Sequence, residues 1–226
     1  MQSLALLDLA RLYYAAGDAT AAGALYAQVD GRSRWRSRAD LEGGWASLLT
    51  GDIAAAVAGG EAAAAASYLP EGHLLAASAA LQSSGCPAAL PRLETFLTTH
   101  RPMADELART GRMDGADLWD WWFGSSTSAE RALPVGFYAR LLHDQPLAGA
   151  IYRMDRIERE IATATDQSPD WVSTVGEGVI SLLEGDLETV TERMHTRLEE
   201  RAALLEDELS DLIDEAEAMK SACEAS

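Results

Sequence analysis

Apolar positions recur along this chain at helical spacing, and the first third shows it most clearly. Leu6, Leu9, Ala10 and Tyr13 share one helical face. After Gly17, the residues Ala22, Tyr26 and Val29 line a face of the next helix. Leu74, Ala77 and Leu81, then Gly85, then Leu90, Leu93 and Leu97 repeat the arrangement. Much later, Ile151, Met154, Ile157 and Ile161 mark another helix. A final stripe runs Leu183, Leu187, Val190, Met194, Leu198, Ala202, Leu205, Leu209, Leu212, Ala216, Met219, in steps of three and four with one stutter near Met194 to Ala202. It predicts about 35 residues of helix, roughly 50 Å long.

Between the early helical patterns stand Ala15-Ala16-Gly17-Asp18, Leu49-Thr50-Gly51-Asp52 and Ser83-Ser84-Gly85-Cys86, whose glycines are two successive steps of 34 apart. Glycine enters the left-handed region without steric cost and so ends a helix and turns the chain. A fixed period of this length is the mark of stacked helix pairs.

The period, the glycine turn, the small residue Ala10 followed three later by Tyr13, and Ala22 with Tyr26 resemble the tetratricopeptide repeat (TPR) family over about residues 3–100. Unit two departs from the pattern. Asp40, Gly43, Gly44 and Ser47 stand where apolar residues are usual, and Leu41, Trp45, Leu48 and Leu49 fall one step out of phase, so its first helix is expected to be shifted or to begin differently. The resemblance implies a concave groove lined by the first helix of each pair: Leu7, Arg11 and Tyr14, then Arg38, Leu41, Trp45 and Leu48, then Leu75, Ala79 and Gln82. Leu7, Tyr14, Leu41, Trp45 and Leu75 would form an apolar stripe for a partner's extended segment or helix. The alternative is that these side chains pack against another helix of the same chain. The lysines of a carboxylate clamp are absent here, and only Arg11 and Arg38 could replace them.

The pattern implies three domains: helical repeats over 1–100, a degenerate helical and aromatic capping region over 101–147, and an acidic helical hairpin over 148–226. Pro102 is expected to open a short helix, Gly111 to Gly115 a loop, and Gly124 to Ser128 a linker; Pro134 and Pro146 bracket another short helix. Ser168 before Pro169 reads as an N-cap. The long helix would take 148–165 back along itself, or its seam over 183–219 would accept a second chain. The fold class expected is all-α: a TPR-like solenoid followed by a long coiled-coil-like hairpin.

Composition supports this. Hydrophobic residues are 48%, much of it alanine, the best helix former, and aromatics are only 7%, which argues against a sandwich or barrel. No run of about 18 apolar residues occurs, so no spanning helix or direct membrane insertion is expected. Acids outnumber bases 36 to 18, and residues 151–226 alone carry 20 acids and 7 bases. Such a surface repels phosphate, so nucleic acid is not an expected partner. Cys86 and Cys223 lie far apart, the second near an end expected to fray, and are read as unpaired. No secretion signal opens the chain, yet helix starts almost at Met1, so cytoplasmic and, with a leader removed, periplasmic locations both stay open. Arginine over lysine and abundant alanine suggest a GC-rich bacterial source. The layout also faintly resembles bacterial cell-envelope scaffold proteins, TPR components of gliding-motility machinery among them.

Catalytic chemistry finds no foothold. His73, His100, His143 and His195 lack metal-ligand spacing and read as surface or capping histidines. The carboxylate runs Glu199-Glu200 and Glu206-Asp207-Glu208 lack a calcium loop and read as solvated helix. No nucleophile elbow, phosphate loop or dinucleotide fingerprint is present, so neither enzyme nor cofactor is expected. Two clusters remain. Arg32, Arg34, Arg36 and Arg38 alternate around Trp35: a solvated loop capping the preceding helix, or a contact for an acidic segment of a partner or of this chain's own acidic last third. Both are better fits than a nucleic-acid contact, which so short a patch in so acidic a chain supports poorly. Trp119, Trp121 and Trp122, with Phe123, form a cap for the repeats or an anchor for a partner. The expected function is a non-enzymatic adaptor binding a protein segment in its groove; the alternative is an oligomer assembled through the final helix.

Overall fold

The computed structural model describes residues 2–65, 69–124, 135–142, 144–167 and 169–225. The protein is all-helical. In order the elements are α1 (Gln2–Ala15), α2 (Ala19–Tyr26), α3 (Arg36–Thr50), α4 (Ile53–Ala65), α5 (Glu71–Ser84), α6 (Cys86–Thr110), α7 (Gly115–Phe123), α8 (Val135–Leu142), α9 (Gln145–Thr165), α10 (Pro169–Trp171), a π-helical turn (Val172–Gly176) and α11 (Glu177–Glu224). They form two compact units, one from residues 1–104 with 207–226 and the other from 105–206. The division differs from the three successive domains read from the sequence: the expected 148–226 hairpin is parted between Glu206 and Asp207.

In the first unit, the positive-φ glycines are Gly17, Gly51 and Gly85, the three that recur every 34 residues. Each ends a helix and starts the next. Gly51 takes a left-handed conformation (φ 81°, ψ 8°), and its N–H and that of Asp52 bond back to Leu48 and Ser47 carbonyls. α1 packs on α2, α2 on α3, α3 on α4, and α4 on α5, with α3 also touching α5.

The buried face of α1 differs from expectation. Leu7 and Ala10 are fully buried with Ala22, Tyr26 and Val29, while Leu9 and Tyr13 are exposed. α2 is only eight residues long and covers one flank of α1, which leaves the Leu9 and Tyr13 flank open.

The glycines of α3, α4 and α5 also have a cause. A Cβ on Gly59 would lie 2.6 Å from the Asp40 carbonyl oxygen and 3.0 Å from the Gly44 Cα. One on Gly72 would lie 2.4 Å from the Gly60 carbonyl oxygen. The backbones of α3 and α4 therefore touch at Gly44, where an apolar side chain was expected, and those of α4 and α5 touch at Gly60 and Gly72. α3 ends at the same glycine turn and is not displaced by this.

α6 continues through Pro91 and Pro102, so Pro102 does not open a separate helix. Each proline removes one backbone donor, but the apolar face carrying Leu93, Phe96, Leu97, Met103 and Leu107 is buried throughout and holds the helix together. Cys86 and Cys223, expected to be unpaired, form a disulfide with Cα atoms 5.2 Å apart. The end of α11 is therefore held against the start of α6 and does not fray there. Residues 207–225 also meet α5 at Ser78, whose hydroxyl points to the Met219 sulfur, and α6 at Arg101 and Glu94, which pair with Glu217 and Lys220.

In the second unit, Asp114 caps α7 by accepting the Ala116 and Asp117 amides, and Asp144 caps α9 by accepting that of Leu147. Asp144 also receives Arg197 from α11 in a bidentate pair of 3.0 and 2.7 Å, with Arg201 3.6 Å away. Arg153 holds Asp186 at 2.8 Å. α9 thus runs antiparallel to the first part of α11, the hairpin expected from the sequence. Ser168, its expected N-cap, lies outside the described residues, as do His143, Pro134 and residues 125–128.

Candidate partner groove

The first helices α1, α3 and α5 share a strip of polar contacts. Arg11 on α1 donates from Nε and Nη2 to the two carboxylate oxygens of Glu42 on α3, at 2.9 and 2.7 Å. Arg38, one turn before Glu42, places Nε 3.7 Å from the same carboxylate. One turn after it, Trp45 donates its indole N–H to Glu71 at the start of α5, at 2.9 Å. The spacing of Arg38, Glu42 and Trp45 puts them on adjacent turns of one helix face. The anionic Glu42 raises the pKa of Arg11 through their hydrogen bond. Tyr26 is buried beside it, and desolvation first, then Glu42, raise its phenol pKa.

The expected groove residues separate into two groups. Leu7, Leu41, Leu75 and Ala79 are fully buried in the cores between helices and are not open to a partner; the predicted apolar stripe is in large part interior. Arg11, Tyr14 and Gln82 are exposed, and Arg38, Trp45 and Leu48 are half-buried. Glu42 and Glu71 were not anticipated. The spacing of Glu42 four residues after Arg38 was the one signal available for either. Since Glu42 engages both Arg11 and Arg38, neither arginine is a free carboxylate clamp.

The arginine patch is partly tied to the chain itself. Arg36 donates to the Val29 carbonyl at 3.0 Å, just after α2, and pairs with Asp40. Arg34 lies over the Trp35 ring, 4.7 Å from its centre. Arg32 and Arg34 are exposed.

The tryptophans divide by depth. Trp122 is fully buried, edge-on to Phe137, and its indole N–H has no partner among the described residues. Trp119 lies half-buried against Phe123. Trp121 is exposed, donating to Glu106 at 2.9 Å with Arg109 stacked on its face. Of the three, Trp121 is the most exposed.

The long stripe is also largely interior. Val190, Met194, Leu198, Ala202, Leu205, Leu209, Ile213 and Ala216 are buried, with Ile213 taking the place expected of Leu212. From Val190 onward the seam offered to a second chain is covered by this chain.

The second unit has an open cleft of about 650 Å³ lined by Glu184, Glu188, Glu192 and Glu199, with Asp114 and His195. Among the described residues no three His, Cys, Asp or Glu side chains converge as metal ligands would, and no helix is long and apolar enough to cross a membrane. His73 and His100, read as surface or capping residues, instead pack together with Phe96: the imidazole centres are 5.4 Å apart, and His100 stacks on Phe96 at 4.4 Å. Burial lowers the pKa of both.

No protein-family model, curated protein or solved structure matches this chain.

Proposed function

We propose that this protein is a non-enzymatic adaptor whose first unit is a short TPR-like solenoid. The observation that supports it most is the coincidence of period and geometry: among the described residues the glycines at positive φ are the three spaced by 34, Gly17 and Gly51 each join two helices that pack together, and α1 to α5 pack in series. Stacked pairs of this kind leave the first helices on one side, where the Arg11, Arg38 and Trp45 strip runs.

The partner this strip suits is a neutral extended peptide with an aromatic or aliphatic anchor. Trp45, with its indole N–H tied to Glu71, offers a rigid apolar face at low entropic cost. A carboxylate-rich peptide would have to displace Glu42 from its arginines. Self-association through 183–219 is the weaker reading because most of that seam is buried.

Panning a displayed peptide library on the full chain tests this reading. Selected peptides should lose binding, at least about tenfold, on Trp45→Ala or Tyr14→Ala with helicity retained. Peptides indifferent to both substitutions would overturn the groove, and so would a library that yields none.

A further inference from the structure

We propose that the Cys86–Cys223 bond is a redox latch: it holds residues 207–225 on α5 and α6, and its reduction frees that segment while the helix pairs remain folded. The latch is independent of the groove and would stand if no peptide bound there.

Apart from the disulfide, the contacts described for this segment are a short apolar face and a few polar contacts. Its buried side chains are Leu209, Ile213, Ala216 and Cys223. The ion pairs described between it and α6, Arg101 with Glu217 and Lys220 with Glu94, join half-exposed groups, and exposed pairs of this kind contribute little. The Ser78 contact with Met219 is a long hydroxyl-to-sulfur approach of 4.0 Å. Charge opposes the contact. Residues 207–226 carry seven acids and one lysine, and residues 1–104 carry nine acids and seven arginines, so a strongly anionic segment lies on a mildly anionic body. A covalent bond between positions 137 residues apart removes the opening that these terms would otherwise allow.

The bond is also placed for exchange. Cys86 is half-buried at the first position of α6, while Cys223 is buried. A thiolate of a small dithiol reaches the Cys86 sulfur, forms a mixed disulfide there and expels the Cys223 thiolate. The reductant's second thiol then attacks that mixed disulfide and releases Cys86, whose thiolate the N-terminus of a 25-residue helix favours. Two electrons and two protons pass to the protein, and the reductant leaves as its cyclic disulfide. Release uncovers the Leu209, Ile213 and Ala216 face of the tail and the surface of α5 and α6 beneath it. The protein thus carries an apolar face that is covered under oxidising conditions and open under reducing ones.

Hydrogen–deuterium exchange on the full chain decides this, comparing the oxidised protein, the protein in dithiothreitol, and a Cys86→Ser/Cys223→Ser variant. Amides of 207–225 should exchange at least about tenfold faster in the last two states, with those of α1 to α4 changed less than about twofold. Unchanged exchange in 207–225 would overturn the latch. Equal acceleration throughout 2–104 would overturn it as well, since the bond would then be a staple for the whole unit. Free Cys86 and Cys223 thiols in the air-oxidised protein, read by non-reducing peptide mapping, would remove its basis.

Discussion

Arg197 grips Asp144 through both carboxylate oxygens while the same carboxylate caps the first turn of α9. One side chain thus fixes where α9 begins and which stretch of α11 lies beside it. Asp144→Ala should cost about 1 kcal/mol for the lost cap alone, and more because Arg201, half-buried nearby, loses its counter-charge. Asp144→Asn should keep the cap and lose only the ionic part. Denaturant unfolding followed by circular dichroism ranks the two; equal stability of wild type and Asp144→Ala would refute the account.

The same carboxylate sets an acid limit. Its hydrogen bond to Arg197, more than any other interaction, holds the Asp144 pKa below the ordinary 3.8. A depressed carboxylate contributes stability above its unfolded value and loses it as pH falls through the folded one. The wild-type advantage over Asp144→Asn should therefore be constant above about pH 5 and shrink below pH 4, read from paired urea melts.

His73 and His100 act at milder pH. Burial, the largest cause for each, lowers both below 6.5, and Arg92 for His73 and His73 for His100 lower them further. The unfolded chain takes up protons near pH 6.5 that the folded chain refuses, so stability should fall as pH drops from about 7 to 5. His100→Phe should flatten that slope. A thermal-melt series that keeps its slope in His100→Phe would exclude the pair as its source.

Gly72 allows α4 and α5 to touch by backbone. Gly72→Ala should destabilise the first unit by about 1–3 kcal/mol, the usual cost of overpacking, although alanine is the better helix former. At Gly31, where a Cβ would meet nothing within 4 Å, the same substitution should be nearly neutral. Melting both variants beside wild type tests the packing, and Gly72→Ala melting no lower than Gly31→Ala would reject it.

Gly51 tests the turn. At φ 81° a Cβ is strained even though nothing crowds it, so Gly51→Ala should cost about 1 kcal/mol and Gly51→Asn less, because asparagine tolerates the left-handed region. Equal losses for both would place the cost elsewhere.

Most helices could be read directly from the sequence. Ala22, Tyr26 and Val29, and Leu74, Ala77, Leu93 and Leu97, are buried where their spacing put them. Less could be read of the candidate groove. Arg11 and Arg38 lie along the strip, but Glu42, which binds them both, carried only an i, i+4 spacing, and Glu71 carried no signal. Leu7 and Leu41 could not be read as interior, nor Leu9 and Leu49 as exposed, because which flank of an apolar helix is buried depends on which neighbour arrives to cover it.

By itself the sequence determined the helical class, the three turns and the long final helix. Those depend on local terms: side-chain periodicity, alanine's propensity, and the positive φ that glycine alone takes without strain. Tertiary structure decided which flank of α1 is buried, why Gly44, Gly59, Gly60 and Gly72 lack side chains, and how the end of α11 comes to lie on α5 and α6. These depend on meetings between residues distant along the chain, Cys86 and Cys223 most of all, and no local pattern encodes a partner 137 positions away.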